Sequence, residues 1–152
     1  MSLETRVPPP VIAITTAIII WGISWLAPQV AVPAGMRWAV SLAIAVAGVA
    51  LSATGIRSFR HARTTVNPTR PERASSLVIT GIYRVTRNPM YLGLLLVLVA
   101  WAIFLSSAWA LLGAAGFVLY MNRFQIAPEE RALSQRFGSA YASYQSRVRR
   151  WL

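Results

Sequence analysis

Apolar positions along this chain fall in long uninterrupted blocks, and the polar positions gather between and after them. The first block runs from Val11 to Ala27 without an ionisable residue. A helix over it is about 25 Å long, at the short end of what crosses a bilayer. Glu4 and three prolines precede it, and no small-residue cleavage site follows before Pro28 and Pro33. It therefore reads as a retained span and not as a secretory leader. A second block, Trp38 to Ile56, is rich in Ala, Val and Gly, and its Ala43, Ala47, Gly48 and Ala50 would let a neighbouring helix approach closely.

A polar stretch from Arg57 to Asn88 follows, carrying Arg57, Arg60, Arg63, Arg70, Arg73, Arg84 and Arg87. Pro68 and Pro71 break any continuous helix within it. The next apolar stretch, Met90 to Tyr120, would be about 46 Å long as one helix, too long for one crossing. Ser106-Ser107 is the natural turn that divides it. Two crossings there also place every Arg cluster on one side, as the positive-inside rule requires, and leave the loops near Gln29–Gly35 and Ser106–Ser107 uncharged. Beyond Pro128, the residues Leu133, Phe137, Tyr141, Tyr144 and Val148 recur at spacings of four, four, three and four, one helical stripe, with Arg131, Arg136, Arg147 and Glu129 off it. That tail helix should lie on the membrane surface or cover the ends of the spans, with Trp151 as an interfacial anchor.

The expected fold class is all-α, a polytopic membrane protein of one domain. Four transmembrane helices are placed at about 11–27, 38–56, 90–105 and 108–124, with a cytoplasmic loop 57–88, an amphipathic C-terminal helix 128–148, and both termini cytoplasmic. Composition agrees: the 152 residues are 56% hydrophobic and only 12% charged, half the charge of an ordinary soluble domain at about 25%. The net charge of +11 is all arginine, with no Lys and no Asp. Those arginines sit at the ends of apolar blocks, so no solvated basic face is left for nucleic acid. Without Cys, and with His61 as the single imidazole, thiolate and His-cluster metal sites are excluded. Arg-only, Ala- and Val-rich usage points to a GC-rich microbial genome and its cytoplasmic membrane.

Two cytoplasmic segments carry more polar detail than a scaffold needs. In Thr80–Gly93, Asn88 can cap a helix with Pro89 at its first position, while Tyr91, Arg84 and Arg87 can anchor it at the interface. In Arg123–Glu130, Pro128 can likewise begin a helix, with Glu129 and Glu130 complementing its dipole. One segment opens the third span and the other closes the fourth, so a short hairpin brings them together. A helix N-terminus suits an anionic group and paired Glu residues suit a cation, so a zwitterion would satisfy both. S-adenosylmethionine is such a molecule, and its sulfonium adds a cation for tyrosine faces.

The run Gly81-Ile82-Tyr83-Arg84, then Arg87-Asn88-Pro89-Met90-Tyr91-Leu92-Gly93, resembles the isoprenylcysteine carboxyl methyltransferase family. So does Glu129-Glu130 followed by Leu133, Phe137-Gly138, Tyr141, Tyr144, Val148 and Arg150-Trp151. Phospholipid methyltransferases belong to the same membrane superfamily, and the match covers the chain from Leu77 onward. The resemblance implies a membrane methyltransferase that uses S-adenosylmethionine, with Tyr83, Arg87, Asn88, Pro89, Tyr91, Gly93, Glu129 and Glu130 as pocket candidates. Charge suggests further that Glu129 or Glu130 holds the cofactor's ammonium and that Arg87 or Arg123 faces the acceptor. Many relatives carry His where this chain has Asn88; Asn hydrogen-bonds but does not titrate, so no general base stands there. The acceptor expected is lipophilic, a prenylated carboxylate or a lipid amine arriving from the bilayer. A carboxylate acceptor needs only an Arg fork, whereas an amine or thiol needs a base from Glu129, Glu130 or a tyrosine. Two rivals stand beside this reading. A small transporter would need an ionisable residue inside a span, and none is present; the other rival is a non-catalytic membrane scaffold.

Overall fold

A computed structural model describes residue 4, residues 7–62 and residues 76–152. Pro68 and Pro71, with Arg63, Arg70 and Arg73, lie outside the described residues. All regular structure among the described residues is helical: α1 Pro9–Leu26, α2 Ala34–His61, a 3₁₀ turn Gly81–Arg84, α3 Pro89–Phe104, α4 Leu111–Tyr120, a π segment Met121–Ile126 and α5 Ala127–Arg147. α1 and α2 are long and apolar enough to cross a membrane, and α3 is a shorter apolar helix. These are not the core helices of a soluble fold, since Trp25, Leu26 and Leu42 are 75%, 91% and 64% exposed.

α2 overruns the expected span by about one turn at each end, so Arg57, Arg60 and His61 are helical and do not begin a loop. The third apolar stretch does divide at Ser106, which takes the left-handed conformation (φ 55°) and ends α3. There Val30 N–H donates to Ser106 O at 2.7 Å, which brings the 27–33 loop to the α3–α4 turn. At the opposite end Glu4 pairs with Arg123 (3.2 Å) and Arg131 (2.7 Å). The helices therefore run in alternating directions, with the start of α1 beside the end of α4. Ile20, Leu98, Ala102 and Phe117 form the buried core where α1, α3 and α4 meet.

α2 meets α3 along Ser41, Gly48, Ser52 and Gly55. Of the four small residues expected to serve this contact only Gly48 does so; Ala43, Ala47 and Ala50 are on the exposed side. A Cβ on Gly48 would lie 2.6 Å from Gly93 O, and one on Gly93 would overlap Ser52 Oγ and Gly48 O. Both glycines thus set the helix separation, and Ser52 Oγ adds a bond to Met90 O at 3.2 Å. This seam fixes where the Pro89–Tyr91 corner stands.

The expectation of a fresh helix beginning at Pro128 is not met. α4 runs through the π segment into α5, and Ala127 N–H reaches back five residues to Asn122 O. Proline lacks an N–H and crowds the carbonyl four residues before it. The widened π turn takes up that mismatch, so the helix passes Pro128 unbroken. It bends instead at Gly138 (φ 50°, ψ −124°). Past that bend Tyr141, Tyr144 and Val148 pack on Val78 and Tyr83. Of the two places expected for the tail, it takes the one over the helix ends.

Candidate functional site

At the end where Arg57, Arg87 and Arg131 gather, the 3₁₀ turn, the start of α3 and the first turns of α5 enclose a cavity of about 100 Å³. Tyr83, Arg87, Asn88, Tyr91, Glu129 and Glu130 all line it. These residues are more than forty positions apart at the extremes, and the α3–α4 hairpin closes that gap as expected from the turn at Ser106.

The two acids differ sharply. Glu130 accepts from Arg87 Nη2 at 3.2 Å and from Arg150 through a two-pronged contact, Nε at 3.1 Å and Nη2 at 2.5 Å. It is a carboxylate already matched by two guanidiniums. Glu129 has no cation on it among the described residues; Tyr91 Oη donates to it at 2.5 Å and Gln125 Nε2 at 2.8 Å. Burial raises its carboxyl to about 7, against those two hydrogen bonds, and the neighbouring Glu130 adds to the rise.

Other polar groups face the cavity unmatched. Tyr83 Oη and Arg87 Nε and Nη1 are buried without a hydrogen-bond partner among the described residues. Buried donors normally find partners, so these atoms are open to one. Burial raises the Tyr83 phenol strongly, and raises Tyr141 to about 12 although Arg87 beside it pulls the other way. Both remain protonated near neutral pH and can donate but not act as bases.

Asn88 is fixed by the chain near its C-terminal end. Its Nδ2 donates to Arg150 O at 2.8 Å, Thr86 Oγ1 donates to the same carbonyl at 3.3 Å, and Arg87 N–H reaches Arg149 O at 3.0 Å. Trp151 Nε1 donates to Asn122 Oδ1 at 3.0 Å, so this indole is a strut between the tail and the π segment. Tyr144 Oη donates to Tyr83 O at 2.7 Å and ties α5 to the 3₁₀ turn.

Three expected site residues stand elsewhere. Pro89 packs beside Gly55, and Gly93 lies in the α2–α3 seam; neither lines the cavity. Arg123 projects outward with its side chain 65% exposed, held by Glu4. Conversely, Gln125, Tyr141, Tyr144 and Phe59 line or support the cavity without having been singled out as site residues. Gln125 sits four residues before Glu129 on one helical face, a spacing that signals the contact. The tail stripe also signals itself, since tyrosines replace aliphatic residues where the apolar face turns inward.

The architecture and this cavity define a helical membrane-type protein with a pocket at one end of its bundle that combines apolar walls with charged and hydroxyl side chains. The phospholipid methyltransferase family profile matches residues 36–140, more than half of the chain, and the chain belongs to that family. A protein of Haemophilus influenzae described only as uncharacterized is 51% identical over 63 residues, which is 41% of this chain and the whole of that protein. No solved structure matches the chain.

Proposed function

We propose that the protein is a membrane-embedded methyltransferase that takes its methyl group from S-adenosylmethionine and gives it to a lipophilic acceptor. The observation that carries this is one cavity holding both a buried carboxyl without a counter-ion among the described residues, Glu129, and open buried donor atoms, Arg87 Nε and Nη1 and Tyr83 Oη, in a chain of a methyltransferase family. These are the complements of an ammonium and a carboxylate, so the residues fit the amino-acid end of that cofactor. The enclosed volume is below the ~300–1,000 Å³ of pockets that swallow a whole drug-sized ligand; the cavity suits that end alone.

When bound, the cofactor supplies an electrophilic methyl on a sulfonium. Glu129 ionises beside the ammonium, whose charge offsets the burial that otherwise raises the carboxyl. Tyr91 and Gln125 hold that carboxylate in place. Arg87, oriented by Glu130, offers its free Nε and Nη1 to a carboxylate. Arg123 takes no part. Where the acceptor needs a proton removed, Glu129 is the cavity group poised near neutrality, and the tyrosines are not.

In this reading α1, α2, α3 and α4 with its π segment each cross the bilayer, and the cavity opens on the cytoplasmic side. Support comes from the alternating helix directions, from the apolar outer faces of α1 and α2, and from the basic residues at the cavity end. Both the isoprenylcysteine-like motif and the phospholipid methyltransferase profile allow a prenylated carboxylate or a lipid amine as acceptor. Purified protein incubated with labelled cofactor and a lipid extract should label an extractable lipophilic product. Absence of saturable cofactor binding, with no labelled product from any lipid extract, would favour the scaffold reading.

A further inference from the structure

The far end of the bundle holds a second recess. Trp38, Ser41 and Ala45 of α2, Val97, Trp101 and Phe104 of α3, with Ala17 of α1 on one lip, wall a groove of about 400 Å³ that opens sideways and is almost wholly apolar. Its aromatic wall is ordered: Trp38 meets Phe104 edge-on at 4.7 Å, and Trp101 stacks on Phe104 at 5.7 Å between ring centroids. Trp101 Nε1 is committed to Ala17 O at 3.1 Å.

Two polar groups at this groove are unmet. Ser41, only 7% exposed, lines it with an Oγ that has no partner among the described residues. Arg37 lies over the Phe104 ring at 5.5 Å, its Nε is buried without a partner, and Nη1 makes only a long 3.5 Å contact to Ser106 Oγ. Every described Glu is at the opposite end, two of them in the cavity and Glu4 on Arg123 and Arg131. Arg37 is thus a cation without a counter-ion among the described residues, beside an apolar slot. The guanidinium is part-buried with its Nε shielded from solvent, and an anion seated there would meet its open hydrogen-bond capacity.

We infer that this groove is a binding site for one anionic phospholipid, its phosphate on Arg37 and one acyl chain in the slot between Trp38 and Trp101. The chemistry is distinct from that of the cavity at the other end: a phosphate and an apolar, largely aromatic wall, with no acid lining it. Tryptophans at this level are the usual companions of a lipid headgroup region. The site rests on the bundle standing in lipid. A chain that leaves membranes in an alkaline wash without detergent overturns that placement, and the site with it.

The site itself is tested on detergent-purified full chain by native mass spectrometry with phosphatidylglycerol and, separately, phosphatidylcholine. Wild type should retain one phosphatidylglycerol in preference to phosphatidylcholine. Arg37→Gln should weaken that retention by about tenfold or more, as losing a charge-assisted contact does. Ala45→Phe, which fills the slot, should weaken both lipids; Arg123→Gln should match wild type. Equal retention by Arg37→Gln and wild type, or equal binding of the two lipids, overturns the proposal. So does a lipid-free dimer disrupted by Ala45→Phe, which would make the groove an interface between copies. If Ala45→Phe does not fold, Arg37→Gln decides, with its melting temperature as the control for folding.

Discussion

At the cavity end, side chains and backbone from four segments are cross-linked by polar contacts: Glu130 to Arg87 and Arg150, Asn88 and Thr86 to Arg150 O, Tyr144 to Tyr83 O. At the opposite end the directional contacts are fewer: Val30 N–H to Ser106 O, Trp101 Nε1 to Ala17 O and a long Arg37 contact to Ser106 Oγ, with aromatic packing for the rest. Hydrophobic packing is non-directional, so it can hold helices together without fixing one polar atom against another. Directional bonds can, and this chain concentrates them where geometry would matter to a reacting ligand. Membrane helices need little else at the far end, because close packing already supports them.

The comparison breaks most readily at the seam between the two ends. Gly93→Leu places a side chain against the α2 backbone; overpacking costs ~1–3 kcal/mol in ordinary cores, and the rigid neighbour puts this at the upper end or beyond. Thermal melting in detergent should show a large drop or no folded protein. Glu130→Gln leaves Arg87 and Arg150 without their counter-charge. Breaking a buried pair costs ~3–5 kcal/mol; with Arg150 37% exposed, the expected loss is nearer 2–3 kcal/mol on that same scale, read by denaturation. Asn88→Ala removes one hydrogen bond to Arg150 O and should cost about 1 kcal/mol. Its sharper sign is faster amide exchange at Arg87, whose N–H is covered by Arg149 O. Arg123→Gln touches an exposed pair and should change stability by less than about 1 kcal/mol and cofactor affinity not at all.

Much of this layout was legible in the residues, and the reasons are specific. The hairpin turn at Ser106 followed from a length that no bilayer fits, and the meeting of Arg87-Asn88 with Glu129-Glu130 followed from that hairpin. Pro128 misled because proline at a helix start and proline passed by a π turn leave the same sequence mark. The two differ only in the backbone, where Ala127 N–H reaches back to Asn122 O. Gly93 stood inside a functional motif, yet its lack of a side chain serves α2; a pattern of small residues does not say which neighbour they face. The difference between Glu129 and Glu130 was equally hidden, since it comes from Arg150, twenty residues on, choosing one of two adjacent acids.

The central claim is that Glu129, and not Glu130, takes the cofactor's ammonium. Its carboxyl stands near 7 without a ligand, and a cation binds only the ionised form. Below that value each binding event must expel a proton, so affinity should fall by up to about tenfold per pH unit from 7 toward 5 and level off above 7. Calorimetric titration with S-adenosylmethionine across that range should show this slope in the native chain. Glu129→Gln should bind roughly ten- to a hundredfold more weakly, by the loss of a charge-assisted bond of ~1.5–3 kcal/mol, and without the slope. A variant that binds as tightly as the native chain, with the same dependence on pH, would contradict the account.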